Sequence, residues 1–253
     1  MAGLTLDGIP GKALAGRWGV PQCRLLSSVG SALDVVHELG AAGAPAGSVV
    51  VTLEQTAGRG RNGRTWSSPV GGAWLGVLLR PVGTVVGGLG IMSIRAGLIV
   101  ADVVDEMIGT SEARLKWPND VLLRDRKLAG VLCEGRWQGV TPEWLAIGVG
   151  VNVANEIPVS LRDTAIALTE LLPLVRPLDV LDRLVPPLAR LGTPTISLTD
   201  QECAAFAARD WLRDRELRRP VPGWVRGLRS DGALLVHGAE GVTAVREGHV
   251  ECC

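Results

Sequence analysis

Short apolar runs cut by Gly and Pro organise most of the chain. Gln22–Ser28 is a mixed run that reads as an entering strand. In Ser31–Leu39, Leu33, Val36 and Leu39 share one side at helical spacing and Gly40 stops the run, which predicts a helix. Gly47–Leu53 (GSVVVTL) is short and β-branched, a strand, whereas Gln55–Pro69 is polar and basic, a loop. Ala73–Leu79 (AWLGVLL) is apolar throughout and ended by Pro81, which predicts a strand buried on both faces. Gly88–Ile108 reads as a long buried helix. The most apolar long stretch, Thr84–Val104, carries Arg95 and three Gly in its first half, which fits a buried helix better than a membrane span.

Ala113–Lys116 predicts a strand running into a turn at Pro118–Asp120, because Pro holds the residue before it extended. Val121–Leu123 and Leu128–Cys133 flank the charged Arg124–Lys127, the pattern of a hairpin, and Trp144–Val153 is another strand. Leu161–Leu191 has a helical pattern that Pro173, Pro177, Pro186 and Pro187 should cut into pieces, and Gln201–Leu217 reads as a further helix. After Pro220 the texture changes. Val221–Val225, Gly232–Val236 and Gly241–Val245 are short β-like runs between Gly-containing turns, which suggest a small barrel beginning near Leu217.

Composition narrows the function classes. With 253 residues and 47% hydrophobic content the chain forms one or two globular domains and is not disordered. Its 26 basic and 26 acidic residues balance, which argues against a protein that wraps nucleic acid. Among the basic residues only Lys12, Lys116 and Lys127 are lysines, and two of them lie within one short stretch. Cys23, Cys133, Cys203, Cys252 and Cys253 form no C-x-x-C pair, so neither a disulfide framework nor a zinc site is indicated. Cys133 lies inside an apolar strand and reads as core, and the Cys252-Cys253 pair as an exposed tail. His37, His237 and His249 lack metal-ligand spacing and read as structural or surface residues. No signal-peptide pattern opens the chain, which predicts a cytoplasmic protein.

Three segments carry candidate chemistry. Gln55-Thr56-Ala57-Gly58-Arg59-Gly60-Arg61-Asn62-Gly63-Arg64, ending at Trp66, combines glycines that admit close backbone approach with planar guanidinium forks suited to phosphate or carboxylate. No Gly-Lys-Ser/Thr follows, so it is not a Walker loop. A solvated basic loop or an RNA-binding arm is the alternative. Lys116-Trp117-Pro118-Asn119-Asp120 is followed seven residues on by Lys127-Leu128-Ala129-Gly130. Asp120 can hold a hard cation and Lys127 can meet developing negative charge; the alternative is a plain hairpin with a charged tip. In Gly148-Val149-Gly150-Val151-Asn152 the alternating glycines mark close approach of a ligand or another backbone.

In this order and spacing the segments resemble the catalytic domain of biotin protein ligases: G-R-G-R-x-G-R-x-W at Gly58–Trp66, K-W-P-N-D at Lys116–Asp120, K-L-A-G-[IV]-L-x-E at Lys127–Glu134 and G-x-G-x-N at Gly148–Asn152. The resemblance implies an α+β fold like that of class II aminoacyl-tRNA synthetases, a mixed sheet flanked by helices. It divides the chain into an N-terminal extension (1–20), a catalytic domain (21–216) and a small C-terminal SH3-like β-barrel (217–253). It implies ATP and biotin as substrates, Mg²⁺, and a biotin carboxyl carrier domain of a carboxylase as acceptor. No operator DNA is expected, since some 20 residues are too few for the winged helix-turn-helix of the bifunctional members, and no membrane, since no segment reads as a span. Monomer and homodimer both fit.

The roles implied by the resemblance follow the motifs. Lys127, Arg59 and Arg61 would be catalytic. Ser31, Ala32, Gln55, Arg59, Gly60, Arg61, Lys127 and Gly130 would bind biotin. Gly58, Arg61, Arg64, Trp66, Lys116, Asn119, Asp120 and Asn152 would bind ATP or the adenylate, with Asp120 also placing Mg²⁺. One position departs from the pattern. The family has a Ser-Thr pair at the start of the first helix, donating hydroxyls to the ureido ring, and here Ser31 is followed by Ala32. A lost hydrogen bond to a buried ligand group costs about 1–3 kcal/mol, unless Ser27, Ser28 or a water substitutes. Competing readings are a lipoate or octanoate ligase of the same fold, a non-catalytic nucleic-acid module using the Arg-rich loop, and a catalytically dead carrier-binding protein.

Overall fold

The structure is a computed structural model that describes residues 4–81, 88–192 and 195–253. The start of the predicted apolar stretch, residues 84–87, lies outside them. A two-stranded ribbon, β1 (Thr5–Leu6) and β2 (Ile9–Pro10), leads into α1 (Gly11–Trp18). Then come β3 (Cys23–Leu26), α2 (Ala32–Ala41), β4 (Val49–Thr52), β5 (Ala73–Leu79), α3 (Leu89–Ile108), β6 (Arg114–Lys116), β7 (Asp120–Leu123), β8 (Arg126–Gln138) and β9 (Thr141–Val151). The helices α4 (Pro177–Ala189) and α5 (Asp200–Arg209) precede β10 (Glu216–Arg219), β11 (Gly223–Leu228), β12 (Leu234–Gly238), β13 (Gly241–Val245) and β14 (Glu251–Cys252).

Seven strands form one mixed sheet in the order β3-β4-β5-β9-β8-β7-β6, with β3 and β4 parallel and the other neighbours antiparallel. Its strands are apolar on both faces because both faces are covered. Along β4, Val49 and Val51 join the large core with α1, α3 and α4, while Val50 joins a smaller core under α2 with Leu33, Val36 and Leu39. This period of two sorts side chains between the layers. All of Ala73–Leu79 is buried, as its composition predicts. The mixed sheet with helices packed against it is the architecture the resemblance implied.

Two of the helix expectations need correction. The helix read as Gln201–Leu217 ends at Arg209. It opens on a capping box, Thr199 Oγ1 accepting from Glu202 N at 3.2 Å and Glu202 Oε2 accepting from Thr199 N at 2.7 Å. It stops because Asp210 turns extended and Trp211 N donates to Leu115 O of β6 at 2.9 Å, a long-range pairing that overrides local propensity. Pro186 and Pro187 do not cut α4. They sit near its end, and full burial of Leu184, Val185 and Leu188 offsets the lost amide donors. Within residues 1–20, Leu14 and Trp18 of α1 are buried in the large core.

After α5, five antiparallel strands form a sheet in the order β13-β12-β11-β10-β14. Among the described residues no pair joins β13 to β14, so the strands do not close. The sheet is docked on the main domain by Trp117, whose Nε1 donates to Gly232 O at 2.9 Å. Among the described residues no helix is long and apolar enough to cross a membrane.

Candidate active site

Two clefts open on the α2 side of the large sheet and meet. The first is lined by Ser31 and Ala32 at the start of α2, by Gln55, by the loop Arg59–Trp66, by Lys116–Asp120, and by Lys127, Gly130 and Gly148–Gly150. The second runs along Leu122, Asn152, Asn155, the segment Ile157–Ala165 and Trp211. Arg64, Thr65, Trp66, Lys116, Asp120 and Lys127 line both. The motifs thus converge where the two spaces join.

Strand geometry explains the convergence. β7, β8 and β9 are neighbours, and Asp120 pairs with Gly130, which pairs with Gly150. The glycines clear a floor for Trp66: a Cβ on Gly150 would lie 2.6 Å from Trp66 Nε1, and one on Gly130 would lie 3.5 Å from its ring. Trp66 meets Trp74 edge-on at 6.5 Å, and its buried Nε1 has no hydrogen-bond partner among the described residues. Over the ring stands Lys127 Nζ, 4.8 Å from its centroid and 2.6 Å from Asp120 Oδ1. The lysine backbone is fixed as well: its N–H donates to Thr164 O at 2.7 Å and its carbonyl accepts from Ile166 N at 3.0 Å. A cation is therefore held at the junction by a carboxylate, an aromatic face and two main-chain bonds.

The loop is built as a tight ribbon. Gly60 N donates to Arg64 O at 2.7 Å and Trp66 N to Gly58 O at 2.8 Å. Gly58 lines neither cleft; a Cβ there would lie 2.5 Å from Trp66 O, so its role is to let the ribbon close. Gln55 lines the first cleft but spends its amide on the protein, with Nε2 donating to Ser68 Oγ and Oε1 accepting from Ala32 N, each at 2.8 Å. It thereby caps α2, whose N-cap Ser31 makes no side-chain cap bond. Asn119 also does structural duty: Nδ2 donates to Val131 O at 2.7 Å. Asn152, buried, lines the second cleft only, its Oδ1 accepting from Asn155 Nδ2 at 3.2 Å. Lys116 Nζ lies 5.1 Å from the Trp211 ring.

The two ligand-loop arginines differ. Arg61 has no carboxylate within 4.0 Å among the described residues, and partial burial lowers its pKa against the pull of Asp120 and Glu247. Arg59 is paired with Asp34 and Glu134. Asp120 is the carboxylate of the junction, and no group of three or more His, Cys, Asp or Glu converges to cage a metal among the described residues. His249, read from sequence as structural or surface, lines the first cleft from the C-terminal segment. Burial, Arg64 and Lys116 lower its pKa, opposed by Glu251 and Asp120. Cys133 behaves as core, burial pushing its thiol up to about 12.

The profile of the Biotin/lipoate A/B protein ligase family matches residues 31–152. A biotin–[acetyl-CoA-carboxylase] ligase of Paracoccus denitrificans is 32% identical over 215 residues, covering 76% of this chain and 85% of that protein. The chain belongs to the biotin protein ligase family. Another such ligase, from Mycobacterium tuberculosis, is 42% identical over 137 residues, 49% of this chain and 50% of that protein. The chain spans 44% of the length of the bifunctional ligase/repressor of Bacillus subtilis, to which it is 35% identical over 144 residues. Among solved structures, the biotin protein ligase of Aquifex aeolicus in complex with biotin and ATP superposes with a TM-score of 0.73 at 26% identity, covering 92% of this chain and 99% of that one. Residues of three motifs line both clefts, and the fourth lines the first through Gly148 and Gly150 and the second through Asn152.

Proposed function

We propose that the chain is an ATP-dependent ligase that activates biotin as biotinyl-5'-AMP and transfers it to a lysine of a biotin carboxyl carrier domain. The observation that carries this reading is the Lys127–Asp120 pair at the meeting of two clefts; on this reading the acyl chain and the nucleotide meet there. In the first step a carboxylate oxygen of biotin attacks the α-phosphorus of ATP and pyrophosphate leaves. In the second, the acceptor lysine amine attacks the acyl carbon of the mixed anhydride, loses a proton, and AMP leaves.

Lys127, fixed by its main chain, meets the charge that develops on the α-phosphate oxygens and on the carboxylate in both steps. Arg61, with no carboxylate of its own, faces the anionic ligand, and Trp66 floors the nucleotide side. Mg²⁺ needs one or two carboxylates and takes its other ligands from water and phosphate; Asp120 would hold it, and when bound it offsets phosphate charge. Ser31 and Ala32 would line the head-group end. Residues 21–216 would form the catalytic unit, and the C-terminal strands an SH3-like module.

The test is to supply ATP, Mg²⁺ and either biotin or lipoate, following pyrophosphate release and acyl transfer to a carrier domain. Biotin-dependent release and transfer are expected. Turnover with lipoate alone would install the sister activity, and no release with biotin would remove the ligase reading.

A further inference from the structure

Arg59 and Arg61 occupy equivalent places in the motif yet sit in opposite surroundings. Arg59 Nη1 lies 2.7 Å from Asp34 Oδ1 of α2. Its Nε donates to Glu134 Oε1 at 3.1 Å and its Nη2 to Glu134 Oε2 at 3.2 Å, the two-pronged geometry that fixes a guanidinium in orientation as well as place. Glu134, on β8, is itself held. Its Oε2 is 2.9 Å from His37 Nε2, and His37 Nδ1 is 3.0 Å from Trp144 Nε1 on β9. An indole N–H only donates, so Nδ1 is the accepting nitrogen and Nε2 carries the proton toward Glu134. A line of hydrogen bonds thus runs from β9 through α2 to β8 and ends on the loop. Burial raises the Glu134 pKa, but bonds from Arg59 and His37 outweigh it and hold the group below the usual carboxylate range. The carboxylate is therefore charged at neutral pH.

We infer that Glu134 is a positioning residue: it pins Arg59, and through it the loop, beside the first cleft, and so leaves Arg61 as the loop's ligand-facing cation. No other part of the loop ribbon has an ion pair to the sheet, because Arg61 and Arg64 have no carboxylate within 4.0 Å among the described residues. Asp34 is the second, more exposed half of the clamp, its side chain 53% accessible against 29% for Glu134. The kinetic consequence rests on the ligase reading above; the loop anchorage does not.

The test therefore has two arms on the full chain. The first is trypsin cleavage after Arg61 and Arg64 in ligand-free protein, with melting temperature as the fold control. Native-state cleavage follows the population of the open loop. Glu134→Gln should speed cleavage about tenfold at unchanged melting temperature, and Glu134→Asp should restore part of the protection. Arg59→Ala combined with Glu134→Gln should be no faster than the faster single variant. Unchanged cleavage in Glu134→Gln, or fully multiplied rates in the double variant, would overturn the inference. Should Glu134→Gln fail to fold, Asp34→Asn takes its place, with a smaller acceleration expected and none overturning the inference. The second arm is steady-state kinetics, where Glu134→Gln should raise KM for biotin several-fold with kcat held within about twofold. A fall confined to kcat would overturn the positioning role. A wild-type protein inactive with biotin would defeat the ligase reading alone, since the cleavage arm needs no substrate.

Discussion

Gly150→Ala puts the floor of the site to a direct trial. The added Cβ would lie 2.6 Å from Trp66 Nε1 and 3.0 Å from Cε2, so the indole must retreat by close to an ångström. It cannot do so freely, with Trp74 edge-on at 6.5 Å and Gly130 beneath it. Overpacking of this kind costs about 1–3 kcal/mol of stability. No hydrogen bond among the described residues is lost, because the indole N–H makes none with them. The shift passes to Lys127, whose ammonium stands 4.8 Å over the ring, and a displacement of about 1 Å at reacting groups can cost about 100-fold in rate. Gly76→Ala is the control. Its Cβ would meet Val36 Cγ2 at 2.6 Å in the smaller core, and Gly76 lines neither cleft. Urea unfolding and single-turnover adenylate formation, measured on both variants, separate the two effects. Both should lose about 1–3 kcal/mol, and only Gly150→Ala should slow adenylation, by about 10- to 100-fold. Wild-type rates in Gly150→Ala, or equal slowing in Gly76→Ala, would refute the account of the floor.

Three further outcomes follow from single side chains. Lys127→Met keeps the stem over Trp66 but removes the charge; adenylation should fall by about 100- to 1000-fold in a rapid-quench assay, with a small change in melting temperature because the Asp120 pair is partly exposed. Asp210 is half-buried, its inaccessible Oδ2 unpaired among the described residues, and burial raises its pKa to about 6 from 3.8. The folded state therefore favours the protonated form, and this contribution is complete below about pH 4 and lost as pH rises through 6. Asp210→Asn should be more stable than wild type by up to about 3 kcal/mol above pH 7, the gap closing below pH 4 in denaturant titrations; a pH-independent gap would contradict this. Leu14→Ala should cost about 2–5 kcal/mol in the same titrations, since Leu14 is fully buried, whereas a loss below 1 kcal/mol would detach α1 from the core.

What the sequence reveals depends on how local the cause is. Ala73–Leu79 is legible because a strand covered on both faces needs apolar residues throughout, and the four motifs are legible because each is a contiguous turn or strand. The end of α5 is not, because it is set by Trp211 pairing with Leu115 far back in the chain. α1 escapes notice because an eight-residue helix with three buried positions gives too short a pattern. The clamp on Arg59 is hidden for the same reason. His37 reaches Glu134 across 97 positions and Trp144 across 107, and nothing in the motif separates Arg59 from Arg61. Gln55 shows the limit from the other side: the right residue at the right cleft, with its amide committed to capping α2. His249 enters the site because the C-terminal strands pack on the large core, through Leu217, Val225 and Leu234 and the Trp117–Gly232 hydrogen bond.

The central claim is that the Lys127–Asp120 junction joins an acyl carboxylate to a nucleotide. It is tested most directly by mixing the protein with biotin, ATP and Mg²⁺ in the absence of any acceptor and identifying the bound product by mass spectrometry after rapid denaturation. The account predicts biotinyl-5'-AMP at close to one equivalent per chain, reduced to background in Lys127→Met. Unreacted biotin and ATP in the wild type, or equal adenylate in Lys127→Met, would contradict it.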